Sequence, residues 1–244
     1  MKAMILAAGI GSRLKPLTDT KPKALIEIGG ITMLERVIRR LASAGTTSLI
    51  INIHHFAGSI LQFLKSNDNF GMRIEVSHEP ELLDTGGGLS NASWFFDDGK
   101  PFFLHNADVY SEIDLSKMYN EHVRNGNLAT LSARKRTGNR YFLFDSSGRL
   151  SGWESAKERV IRWASVPLKN ATRLAFDGIH VISPALLKEL PEPGRPSSIN
   201  DTYLKLAGEG RKIAFFRSDS YYWKDMGNPE KLEELKSYTA DKKK

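Results

Sequence analysis

Apolar positions along the chain change their spacing several times, and each change marks an element. Met1–Ala8 is a short apolar run that ends at a glycine, as a buried strand does. Met33, Leu34, Val37, Ile38 and Leu41 fall at helical spacing and stop before Gly45, which predicts a helix over 32–44. Ser48–Ile53 is β-branched and apolar and predicts a strand, followed by a helix over Phe56–Lys65. The alternation continues with a strand at Arg73–Ser77, a helix at Gly88–Phe96, a strand at Pro101–His105, a helix at Leu115–Arg124 and a strand at Leu128–Ala133. Strands separated by helices argue for an α/β fold: a Rossmann-like, mixed but mostly parallel sheet with helices on both faces. Beyond Ala133 the alternation weakens. Tyr141–Asp145, Arg149–Trp153 and Leu174–Ile182 read as strands joined by turns, Lys212–Arg217 as a further strand, and Ser198–Leu206 and Pro229–Tyr238 as helices. With no repeat and no linker, 1–244 reads as a single domain with a nucleotide-binding half (about 1–133) and a second half (about 134–240). Asp241–Lys244 reads as a charged, frayed tail.

Composition narrows the chemistry. The 244 residues are 41% hydrophobic and 26% charged, enough apolar material for a full core. There is no cysteine, which excludes a disulfide scaffold, an iron–sulfur cluster and a thiol nucleophile. The formal net charge of +7 suits an anionic partner without choosing one. No basic–aromatic stripe or recognition motif supports nucleic acid. The longest stretch without Asp, Glu, Lys or Arg, Leu41–Leu64, carries Thr46, Asn52, His54 and Gln62, so a membrane span is not expected there. The apolar run Ala3–Ala8 is too short for an export signal, and a cytoplasmic location is expected.

Gly9–Lys23 is where chemistry concentrates. This loop opens directly from a strand end and is rich in Gly, Pro, Thr and Lys. Gly9 and Gly11 let the backbone approach a ligand and turn N–H groups toward a phosphate, while Arg13 and Lys23 add cationic donors. The dinucleotide fingerprint fails because its third glycine falls at Leu14, and no P-loop is present.

Taken whole, Leu6-Ala-Ala-Gly-Ile-Gly-Ser-Arg-Leu-Lys-Pro-Leu-Thr18 with Pro22-Lys23 resembles the signature of the sugar-1-phosphate nucleotidyltransferases. Other segments extend the resemblance along most of the chain. His105-Asn-Ala-Asp-Val109 resembles the family's metal-binding aspartate segment, with Ala107 where glycine is usual, and Tyr222-Trp-Lys-Asp-Met-Gly-Asn-Pro229 its second one. Asp84-Thr-Gly-Gly-Gly88 resembles the nucleotide-contacting loop and Phe176-Asp-Gly-Ile-His180 the sugar-side strand. The subgroups most similar are the N-acetylmuramic acid-1-phosphate uridylyltransferases and the mannose-1-phosphate guanylyltransferases.

The resemblance implies a reaction and roles. A nucleoside triphosphate and a sugar 1-phosphate would give an NDP-sugar and pyrophosphate. Asp108 and Asp225 would hold Mg2+, Arg13 would hold the triphosphate, and Lys23 would bridge the two phosphates. Leu6, Ala8, Gly9, Gly11, Ser12, Thr85 and Gly86 would line the nucleotide, and Asn52, His54, Glu154 and Asp177 the sugar phosphate. Glu79 stands six residues before Thr85, where similar enzymes carry a base-reading Gln or Glu. An ionised carboxylate only accepts hydrogen bonds, so it suits the N–H edge of uracil, thymine or guanine and not cytosine or adenine. The resemblance favours UTP over GTP. The alternative is that Glu79 is a solvated loop residue.

Blander readings stand beside these. His54 and His55 are neighbours at a strand end and point to opposite faces, so they do not share an ion. Arg134-Lys-Arg136 with Arg140 reads as a solvated turn. Competing functions are a cytidylyltransferase acting on a non-sugar phosphate such as phosphocholine, and a regulatory subunit that binds nucleotide without turnover. The missing hexapeptide-repeat tail leaves a monomer or small homo-oligomer as the expectation.

Overall fold

The structure, a computed structural model, describes residues 1–242. In chain order the elements are β1 (Lys2–Leu6), the two-residue β2 (Glu27–Ile28) and β3 (Ile31–Thr32), α1 (Met33–Ser43), β4 (Ser48–Ile53), α2 (Ala57–Ser66) and β5 (Arg73–His78). Then come α3 (Asp84–Asn91), β6 (Phe102–Asn106), β7 (Val109–Ser111), α4 (Leu115–Asn125) and β8 (Ala129–Arg134). They are followed by β9 (Arg140–Phe144), β10 (Leu150–Ser155), β11 (Val160–Trp163), β12 (Thr172–Ile182), α5 (Ile199–Gly208), β13 (Ile213–Arg217), β14 (Trp223–Asp225) and α6 (Pro229–Asp241). The α/β reading holds. Among the described residues, no helix is long and apolar enough to cross a membrane.

The chain divides into two compact units, neither contiguous in sequence: Met1–Leu82 with His105–Ile113 and Tyr222–Lys244, and Leu83–Leu104 with Asp114–Tyr221. In the first, β1, β4 and β5 are parallel neighbours, with Leu6 opposite Asn52 and Ile53 opposite His78. That register brings Ala7, Asn52 and Glu79 to the carboxyl ends of adjacent strands, where α/β sheets bind ligands. Helix α1 buries Met33, Leu34, Val37, Ile38 and Leu41, and Thr32 caps it by accepting from the Glu35 N–H at 3.2 Å. Strands β7 and β14 pair antiparallel, with Asp225 opposite Val109. At three residues each they are too short to show a period.

In the second unit, β8 pairs antiparallel with β12 and parallel with β13, and β12, β9, β10 and β11 continue as antiparallel neighbours. The β12–β8 register shifts between Phe176 and His180, a bulge around Asp177 and Gly178. Helix α3 begins at Asp84, four residues before the expected start. Gly86 and Gly87 are part of it and donate to the Ser197 carbonyl at 2.9 and 3.1 Å. A Cβ on Gly87 would strike the Arg195 carbonyl. The glycines that argue against a helix by propensity are thus required by how closely this one packs.

Two further expectations change. Arg134 is not in a solvated turn: it is buried, and its Nε donates to Asp177 at 2.9 Å, while Arg136 donates to the Phe176 carbonyl. In the expected tail, Asp241 closes α6 and Lys242 pairs with Glu112; the last two residues lie outside the described residues.

Candidate active site

The loop after β1 folds as three 3-10 turns, Ser12–Leu14, Leu17–Asp19 and Lys23–Leu25. Gly11 sits in the left-handed region at φ 71°, and its carbonyl accepts from the Leu14 N–H at 2.9 Å and the Thr18 hydroxyl at 3.0 Å. A Cβ there would lie 3.0 Å from Thr18 Cγ2 and 3.1 Å from Lys23 Cβ. Gly11 therefore lets Lys23 fold against the loop. Gly9 is exposed, and a Cβ on it would meet nothing. Leu6 accepts from the Ala107 N–H at 3.0 Å, which sets the Asn106–Asp108 segment beside the loop's start. Ala8 is buried, while Ser12 and Arg13 are exposed.

Lys23 reaches across to form an ion pair with the Asp108 carboxylate. The Met226 N–H donates to the Asp108 carbonyl at 2.9 Å, so β7–β14 pairing sets Asp225 next to Asp108. Asp225 takes a second lysine, Lys231, at 2.6 Å. A Cβ on Gly227 would collide with the Asp225 carboxylate and lie 3.7 Å from Arg13 Nη2, so Arg13 also reaches this spot. Arg13, Lys23, Asp108 and Asp225 are thus brought to neighbouring positions. Gly227 lies within the quoted Tyr222–Pro229 segment but had no role assigned, and Lys231 is an addition beyond that segment.

These carboxylates fit Mg2+. Among the described residues no three His, Cys, Asp or Glu side chains cluster as a self-sufficient metal site. Magnesium does not need one, since it takes one or two carboxylates and fills its sphere with water and phosphate oxygens. The two lysines already mark both aspartates as cation partners.

The neighbouring strand ends carry a second group. Glu79 is buried, 1% exposed, and not a solvated loop residue. Asn52, also buried, donates from Nδ2 to Glu79 Oε1 at 2.7 Å and accepts the Ala7 N–H on Oδ1 at 2.8 Å. His54 Nδ1 donates to the Glu79 carbonyl at 2.8 Å, and the Glu79 N–H donates to Ile53. Asn52 is the strut between Ala7, where the loop after β1 begins, and Glu79. On β6, burial drives the His105 pKa down to about 4, so its imidazole is neutral near pH 7.

The remaining candidates belong to the second unit. The Thr85 N–H donates to its neighbour Asp84 at 2.6 Å. Glu154 holds Arg173 through a two-point pair at 2.7 and 2.8 Å, which keeps its carboxyl below the usual range. Asp177 is fully buried. It accepts from Ser132 at 2.9 Å, from Ser218 and from Arg134; burial outweighs those partners and raises its pKa.

A known sequence family matches this chain. The nucleotidyl transferase family's pattern covers residues 2–242. This chain belongs to that family. Among curated proteins it is 29% identical over 232 residues to a mannose-1-phosphate guanyltransferase of Aspergillus fumigatus, across 94% of this chain and 61% of that one. A mannose-1-phosphate guanyltransferase of Schizosaccharomyces pombe is also 29% identical, over 234 residues and the same shares. The chain thus spans about three fifths of these relatives' length. Among solved structures, a Bacillus anthracis protein assigned as a glucose-1-phosphate thymidylyltransferase, in complex with sucrose, superposes with TM-score 0.82 at 20% identity over 99% of this chain and 96% of that one. HddC from Yersinia pseudotuberculosis, complexed with GMP-PN, gives 0.76 at 20% identity over 98% and 99%. The nucleotidyl transferase fold is common to all.

Proposed function

We propose that this nucleotidyl transferase joins a nucleoside triphosphate to a sugar 1-phosphate. A phosphate oxygen of the sugar 1-phosphate attacks the α-phosphorus. The α–β anhydride bond breaks, and pyrophosphate leaves with the electron pair. The observation that carries this reading is the convergence of Arg13, Lys23, Asp108 and Asp225 beside a glycine loop. The reaction brings anions together, so the protein's task is to position them and neutralise charge. Arg13 suits the triphosphate's outer oxygens with its planar fork. Lys23, a compact charge tethered against Gly11, suits the oxygens shared by donor and acceptor. Asp108 and Asp225 would hold Mg2+, which supplies positive charge to the phosphates when bound.

For the base, the proposal rests on Glu79. A buried acceptor rewards a ring N–H, so GTP, UTP or dTTP are the donors and CTP or ATP are poor ones; a mismatched buried polar group costs about 1–3 kcal/mol. Sequence resemblance alone leaned to UTP. The names of the curated relatives favour GTP, with mannose 1-phosphate as acceptor. Pyrophosphate release measured over a panel of triphosphates and sugar 1-phosphates tests all of this. Release only with CTP and phosphocholine, or none with any pair, overturns it.

A further inference from the structure

Lys231 has no task in the proposed reaction, yet its place in the fold is unusual for a lysine. It is the third residue of α6, in the first helical turn. Its backbone N–H donates to the capping Asn228 side chain at 3.0 Å. A cation is disfavoured at that end of a helix, where the dipole already puts positive charge. Asp225 offsets the cost: Lys231 Nζ donates to Asp225 Oδ2 at 2.6 Å. The other carboxylate oxygen, Oδ1, lies over Gly227, 2.3 Å from where a Cβ would stand, and that same point is 3.7 Å from Arg13 Nη2. Across the β7–β14 pair, Lys23 is the ammonium partner of Asp108. Two carboxylates thus face three cationic side chains, Lys23, Lys231 and Arg13. Among the described residues no third His, Cys, Asp or Glu joins them as a metal site. The site is therefore net positive before any ion arrives. A bare divalent cation would enter against that charge, whereas one carried by a triphosphate brings negative charge with it.

We propose that Lys231 is a resident counter-ion for Asp225, a tethered cation that competes with a divalent ion for this carboxylate and so keeps a bare ion from settling there without nucleotide. Lys231 acts through Asp225 and is a positioning residue. The nucleotide's part in this rests on the transferase reading; the competition between Lys231 and a divalent ion rests on the ion pair and the charge around it.

The test is Mn2+ titrated into the full chain without nucleotide, followed by the electron paramagnetic resonance signal of free Mn2+. Mn2+ shares the octahedral oxygen preference of Mg2+. The Lys231 side chain is 36% exposed, so Lys231→Met removes the charge and leaves the core alone, and Lys231→Gln is a second variant of the same kind. Either should gain one bound Mn2+ at least ~10-fold tighter than the native protein binds it, because a monovalent and a divalent cation a few ångströms apart repel by that much even near water's dielectric constant. Lys231→Arg keeps the charge and should bind as weakly as the native protein. Adding Asp225→Asn to Lys231→Met should abolish the gain. The proposal is overturned if neither uncharged variant binds Mn2+ more tightly than the native protein, if Lys231→Arg gains as much as Lys231→Met, or if the gained ion persists without the Asp225 carboxylate. Absence of pyrophosphate release would refute the transferase reading and leave this titration standing.

Discussion

Acid should unfold this protein through two buried histidines. His105 and His122 are each 1% exposed, and burial lowers both pKa values from 6.5 to about 4. Both nitrogens of the neutral His122 ring have partners. Ser183 donates its hydroxyl to the Asn127 carbonyl at 2.8 Å, so it accepts from His122 Nε2 at 3.0 Å. With Nε2 carrying the proton, Nδ1 of the neutral ring is the acceptor, and the Thr130 hydroxyl, which accepts from Asn127 at 3.0 Å, donates to it at 2.9 Å. Protonating Nδ1 turns that acceptor into a donor, and the Thr130 hydroxyl loses its own acceptor and must turn. The unfolded chain, with ordinary pKa values, therefore takes up more protons between about pH 6.5 and pH 4, and stability falls as pH falls through that window. Each histidine contributes a loss of about 2 kcal/mol by pH 5 and about 3 kcal/mol at the acid limit. Urea unfolding at pH 7.5 and pH 5 measures the loss. His122→Asn, which cannot titrate, should cost stability at both pH values yet shrink the difference between them by about 2 kcal/mol. An unchanged difference, or an imidazole proton resonance for His122 titrating near pH 6.5, would refute the reasoning.

Other expectations concern the site. Asp108→Asn and Asp225→Asn should fold normally and lose about 10²–10³-fold or more in kcat, the scale of a lost electrostatic stabiliser; full activity in either would remove its carboxylate from the site. Gly11→Val forces a β-branched residue to φ 71° and against Lys23, and should raise the triphosphate KM by about 10-fold or more, read from initial rates. Glu79→Gln restores a donor and should narrow the gap in kcat/KM between GTP or UTP and CTP; a gap as wide as the native one would point to backbone groups as the base reader. Gly87→Ala should lower Tm, because its Cβ meets the Arg195 carbonyl, and an unchanged melting curve would contradict the packing of α3.

What the sequence made legible depended on range. Helix α1 and strand β4 were readable because period, cap and stop lie within a dozen residues. The loop from Leu6 to Lys23 was readable because its motif is contiguous. The link between Asn52 and Glu79 was not: the two are 27 residues apart and meet only through the parallel register of β4 and β5. Arg134 looked like a solvated charge because its partner, Asp177, lies 43 residues on, turned inward at a bulge with no clear local signal beyond Gly178. The early start of α3 was hidden because propensity counts glycine against a helix, whereas here the approach of residues 195–199 excludes every side chain.

The sequence order of the two units bears on how the protein is made. Met1–Leu82 is synthesised before the second unit and carries the glycine loop, Lys23 and Glu79, but the first unit also contains Tyr222–Lys244. Asp225, opposite Val109, and Lys231 are thus synthesised only after every residue of the second unit. A chain released before residue 225 would carry the loop with Arg13 and Lys23 but only Asp108 of the two aspartates. A premature stop anywhere before residue 225 therefore leaves the first unit open as well as the site incomplete, and no N-terminal fragment can serve as a smaller working version.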